Sequence, residues 1–124
     1  MINRLTNALN FQTEALVMRS ERQRMIASNI ANADTPGYVA RDFDFAKALR
    51  EATSGNGMAD PTRRAGAMLR YAAPAQTNLD GNSVDMDRER AAFADNTVKY
   101  ESTLRFINGS VRTMLDAMKS HSGG

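Results

Sequence analysis

The chain has no cysteine and no tryptophan, one histidine and three prolines among 124 residues, and aromatic side chains make up only 6% of it. Without cysteine, disulfides, thiolate metal sites and thiol catalysis are all excluded. The lone histidine, His121, lies in a Ser- and Gly-rich tail that is expected to be flexible, with no carboxylate pair beside it, and makes a poor ligand or base. No stretch approaches the roughly 20 apolar residues of a membrane span. No apolar segment of signal-peptide length follows the first residues, so export, if it occurs, is expected without a cleaved signal.

Charge of one sign is also missing. The formal net charge is +2, Arg19, Arg22 and Arg24 are interleaved with Glu21, and Arg63-Arg64 is an isolated pair. The pI near 9.3 therefore has no basic stripe behind it, and nucleic acid is not an expected partner. Gly55-Asn56-Gly57 lacks the Lys and Ser/Thr of a phosphate loop. Residues 80–87 have Asp85 where a calcium loop needs Gly, and Ala91 stands where it needs a bidentate Glu. They read as a turn followed by an acidic helix start. Asn108-Gly109-Ser110 matches a glycosylation sequon by chance, inside a helical pattern. No enzyme activity, cofactor, metal or small-molecule substrate is expected.

What the chain does have is apolar periodicity at both ends. Ile2, Leu5, Leu9, Leu16, Ile26, Ile30 and Ala33 fall on three- and four-residue steps, with Gln12, Arg19 and Gln23 in the gaps. A second row, Ala8, Phe11, Ala15, Met18 and Met25, runs beside the first. Together they predict one helix over residues 2–33 with an apolar face too wide for a single partner helix. At the other end Met86, Phe93, Tyr100, Ile107 and Met114 recur every seven residues, and Arg90, Thr97, Leu104, Val111 and Met118 occupy the position four residues on. This heptad pattern predicts a helix over residues 85–119. Asp85, Asp87 and Glu89 sit where carboxylates favour the helix start. Gly109 costs about 1 kcal/mol in the interior and is either a close-approach point or merely tolerated.

Between the helices, Thr35-Pro36-Gly37-Tyr38 predicts a type II turn, with Pro at the first corner and Gly where φ must be positive. It directs Tyr38 back toward the helix, while Asn29 and Asn32 bring two amides to the helix end. Phe43, Phe45, Ala46, Ala48 and Leu49 suit a short helix or a packed loop. Residues 53–57 and 60–62 read as a mobile loop, residues 68–71 as a short strand ended by Pro74, and residues 80–82 as a turn. The expected fold is all-α: two long terminal helices paired as an antiparallel coiled-coil hairpin, joined by a mostly irregular middle segment with room for short strands. Residues 1–34 and 84–120 form a discontinuous helical core domain. Residues 35–83 connect its halves through a turn, a loop and room for a short hairpin. Two readings stay open on the residues alone: a subunit that completes its core in an assembly, or a self-contained coiled-coil adaptor with one partner.

The run Asn29-Ile30-Ala31-Asn32-Ala33-Asp34-Thr35-Pro36-Gly37-Tyr38 resembles the N-terminal signature of the bacterial flagellar rod, hook and hook-associated axial proteins. The stretches at 11–16, 41–45 and 79–87 resemble the short proximal-rod members in particular; only residues 52–73 carry no such motif. The resemblance implies a structural subunit of the basal-body rod in the periplasm. It implies export through the flagellar type III apparatus, and paired terminal helices polymerised into a tubular drive shaft that transmits torque. The implied partners are other copies of the chain, other rod proteins, and the adaptor protein FliE with the export gate at the rod base. The residues expected to make helix-packing and subunit contacts are Leu5, Leu9, Phe11, Leu16, Met18, Met25, Ile26 and Ile30 in the first helix. In the last they are Phe93, Tyr100, Leu104, Ile107, Val111, Met114 and Met118.

Overall fold

The computed structural model describes residues 2–54, 61–74 and 84–123. Helix α1 spans Ile2–Ala31 and helix α4 spans Met86–Gly123. The second is longer than expected, because the tail assumed to be flexible continues the helix. Asp85 caps α4: its carboxylate accepts from the Arg88 amide at 3.2 Å, and its carbonyl accepts from the Glu89 amide. This is the helix-start role assigned to the acidic run; residues 55–57 and 80–83 lie outside the described residues.

The two long helices pack antiparallel. Asn29 bonds to Glu89, and Gln23 bonds to Asn96 and Thr97. At the far end Leu5 shares a groove with Gly109 and Thr113. The antiparallel hairpin expected of two long terminal helices is thus formed.

The connection holds more regular structure than the sequence suggests. Strand β1, Arg41–Phe43, leads into helix α2, Phe45–Thr53, which Asp44 caps by accepting from the Lys47 amide. Helix α3 covers Pro61–Tyr71, and strand β2, Ala72–Pro74, returns antiparallel to β1 with Phe43 opposite Ala72 and Arg41 opposite Pro74. Two local expectations are corrected. Residues 68–71 are the last turn of α3, and the strand begins only at Ala72. Residues 61 and 62 open α3 instead of belonging to a loop: the fixed φ of Pro61 suits the first helical position, where no N–H is needed. Arg63 then ties the two short helices together by donating to the carbonyl and hydroxyl of Ser54.

The apolar core lies where α1 meets this connecting layer. Ala15 and Met18 of α1 pack with Phe43 of β1, with Ala48, Leu49 and Ala52 of α2, and with Ala67 of α3; Met25, Phe45 and Met68 close its margin. The small side chains let the short helices approach α1 closely. Among the described residues α4 contributes nothing to this cluster. A buried ion pair adds to it: the Glu14 carboxylate is fully enclosed and accepts from Nε and Nη2 along one edge of the Arg64 guanidinium, with Nη2 at 2.9 Å from Oε2.

Candidate assembly surface and signature turn

With Ala15, Met18 and Met25 committed to the connecting layer, α1 turns a polar flank toward α4. α4 answers in kind: its buried side chains are Glu89, Asn96 and Thr103, spaced by seven. They follow Met86, Phe93 and Tyr100 by three residues. The sequence pattern placed the second seam position four residues on, at Leu104, Val111 and Met118, and that phase is corrected. The apolar spacing is real, but the chain buries its polar neighbour against α1. Asn96, wholly buried, donates to the Arg19 carbonyl at 2.9 Å and to the Gln23 side-chain carbonyl at 2.8 Å, and Gln23 donates to the Thr97 hydroxyl at 2.7 Å. Arg19 and Gln23, gaps in the apolar row of the sequence, are among the residues that meet α4.

The consequence is an outward apolar row. Phe93, Leu104, Val111, Leu115 and Met118 keep between 38% and 64% of their surface exposed. Tyr100, Ile107 and Met114 lie half-buried at its edge. On α1, Leu5, Leu9, Leu16 and Ile30 are half-buried, Phe11 is exposed, and Ile26 is enclosed. An open groove of about 520 Å³ runs along the margin of the two helices between Arg24, Ala27, Tyr100 and Leu104. Covering a large aliphatic or aromatic side chain contributes about 1.5–3 kcal/mol, so this row is a substantial stabilisation that the isolated chain leaves unrealised.

The signature residues build a polar knot at the opposite end from Leu5. Gly37 has φ 77°, and the Tyr38 amide donates to the Thr35 carbonyl at 3.2 Å, the geometry of a type II turn. Asn32 donates to the Ser28 carbonyl and accepts from the Thr35 hydroxyl, so the end of α1 is satisfied by its own side chains. Ala31 and Asp34 lie exposed beside the turn, as does Pro36. The Tyr38 hydroxyl reaches back to Asn29 Oδ1 at 3.1 Å and lies 3.2 Å from the Ser28 hydroxyl.

Asn29 is the centre of the knot; the sequence places its amide at the helix end but gives no sign of its partners Arg41 and Glu89. Its Nδ2 donates to the Arg41 carbonyl at 2.7 Å and to Glu89 Oε2 at 3.2 Å; its Oδ1 accepts from the Arg41 amide and from Tyr38. Two donors and two acceptors are thereby all engaged. The amide serves Arg41 as a neighbouring strand would. Pro74, opposite Arg41 in the ribbon, has no N–H to give. One buried side chain therefore joins the end of α1, the edge of β1 and the first turn of α4. Glu89 tolerates burial there because the helix start favours negative charge.

Arg22 and Asp42 fasten β1 to α1 through two parallel bonds of 3.0 and 3.1 Å. The Asp42 hydrogen bond, working against burial, raises the Arg22 pKa above its ordinary value, with Asp42, Asp95 and Glu89 adding their charge. Arg19 lies 4.0 Å over the Phe45 ring; burial first and the charge of Arg22 second lower its pKa, and Asp95 opposes them. Among the described residues no group of His, Asp or Glu is placed to hold a metal ion, and no helix is long and apolar enough to cross a membrane.

Comparison with known proteins fits this arrangement to a family. The family model for flagella basal body rod proteins matches residues 9–38, which is α1 from Leu9 onward together with the turn. The FlgB rod protein of Proteus mirabilis strain HI4320 is 44% identical over 96% of this chain and 98% of its own length. That of Escherichia coli K12 is 44% identical over 97% and 99%. The chain belongs to the FlgB family of flagellar basal body rod proteins. A more distant FlgB, from Buchnera aphidicola, is 37% identical and aligns over 96% of this chain and 99% of its own. As a FlgB-family member the chain is a structural component of the rod within the flagellar basal body, and it assembles with other rod proteins.

Proposed function

We propose that this chain acts in the proximal rod as a purely mechanical subunit. Residues 1–34 and 84–120 form its working core, and the connection stiffens α1. The outward row of α4, with Phe11 of α1, packs against helices of neighbouring subunits, which are other copies of the chain and other rod proteins. At the base of the rod the same surface meets FliE and the export gate. The chain reaches its place through the flagellar type III apparatus without losing a signal segment, carries out no catalysis, and passes torque along the tube. The signature residues, Asn29 to Tyr38, set the angle at which the connection leaves α1.

The observation that carries this reading is the exposed apolar row on a helix whose inner face is polar. Leu104→Asp tests it. Leu104 is exposed in the isolated subunit, so its replacement is expected to leave the circular dichroism spectrum and melting point nearly unchanged while abolishing motility and rod assembly. A motile strain carrying Leu104→Asp would overturn the proposal. A self-contained adaptor, by contrast, would melt sharply in dilute solution and bury its own apolar row.

A further inference from the structure

α4 faces α1 with its less apolar side. Leu104 lies about 100° round the helix from Thr103, and so does Val111 from Ser110. A rotation of α4 by about a quarter turn would swing Leu104, Val111 and Phe93 toward α1 and carry Asn96 and Thr103 away from it. Burial of apolar surface alone favours that rotation. The seam as built is also imperfect. Asn96 Oδ1, enclosed in it, has no hydrogen-bond partner, and a buried polar group so placed weakens a helix pair while fixing its register.

We propose that Asn96 is a positioning residue that sets the rotation of α4 about its own axis. Its amide is the one group of α4 that bonds a backbone carbonyl of α1, at Arg19, among the hydrogen bonds described. A backbone carbonyl cannot turn away as a side chain can, and the second Asn96 bond, to Gln23, lies one helical turn further along α1. Gln23 continues the chain of bonds to Thr97. Glu89, fixed by Asn29, holds the first turn of α4 in the same rotation. The arrangement stops the subunit from satisfying its own apolar row. It acts on the isolated chain and so is independent of which subunits later cover that row.

The chain has no cysteine, so single thiols can be introduced without background. Thr103→Cys and Leu104→Cys are made separately, and alkylation by a water-soluble maleimide is timed on the folded, dilute protein. The thiol at 104 is expected to react at least about tenfold faster than the one at 103, since a buried group reacts only through local opening. Adding Asn96→Leu is expected to bring the two rates together or reverse their order while helicity is kept. Asn96→Ala, which adds no volume, carries the same expectation where leucine cannot be accommodated. An unchanged ratio in both backgrounds would overturn the proposal. Loss of helical signal in both would overturn it too, because Asn96 would then hold the fold and not the orientation.

Discussion

Replacing Asn29 with leucine removes the knot at the signature turn without opening a cavity, because leucine keeps the branched outline of asparagine and is somewhat larger. Asn29 is 1% exposed and makes four hydrogen bonds. A neutral hydrogen bond has a net worth of about 1 kcal/mol, one to a charged group about 1.5–3, and a buried group left unpaired costs about 1–3. Tyr38, half-exposed, can turn its hydroxyl to water, but the Arg41 amide and carbonyl and the Glu89 carboxylate lose a partner in place. The sum is about 3 kcal/mol, equivalent to a fall of roughly 10 °C in melting temperature for a chain of this length. Thermal denaturation followed at 222 nm measures it directly. Asn29→Asp sharpens the test. It keeps both acceptors, loses both donors, and sets a second carboxylate beside Glu89. The like charge raises the pKa of the new group in the folded state. Its penalty is therefore present above that raised pKa and relieved as pH falls through it, so the deficit against the parent protein is expected to be larger at pH 7 than at pH 4.5. An Asn29→Leu protein melting within about 2 °C of the parent would refute the reasoning.

Glu14→Ala removes the enclosed carboxylate that pairs with Arg64 and is expected to cost about 3 kcal/mol, read as a lower midpoint in urea. Gly37→Ala meets no atom within 4 Å, so its expected cost of about 1 kcal/mol comes from the positive φ alone; Gly37→Asn should cost less. A Cβ at Gly109 also meets nothing within 4 Å. Gly109→Ala should thus raise the melting temperature of the isolated chain by a few degrees, equivalent to about 0.8 kcal/mol, and a loss of stability would refute the view that the space is open.

The long helices were legible because periodicity and end signals agree in them. Ile2 to Ile30 and Met86 to Met118 each carry an apolar stripe, with a Pro-Gly turn after the first and acidic residues opening the second. The phase of the seam was not legible. A heptad of large apolar residues shows that a helix has a greasy side but not what that side faces, and here the polar partners Asn96 and Gln23 are seventy-three residues apart in sequence. The connecting layer was under-read for a related reason. Beside Phe43 and Leu49, its core residues are Ala48, Ala52 and Ala67, which mark a surface helix as readily as a tight contact. Residues 68–71 looked like a strand because Leu and Tyr beside a proline suit one locally; continuation of the helix from Pro61 overrode that preference. At the signature, the turn type followed from Pro36 and Gly37, whereas the role of Asn29 depends on Arg41 and Glu89, which only the fold brings to it.

The placement of the polar bonds gives the hairpin a mechanical direction. Asn29–Glu89 and Asn96–Gln23 are strung along the axis in the half nearest the turn, and the half nearest Leu5 and Thr113 is held by packing alone among the described contacts. A force sliding α4 past α1 loads those bonds in parallel, so they must give way together. A force peeling the helices apart from the Leu5 end meets them singly. The subunit is stiff against shear and soft against unzipping.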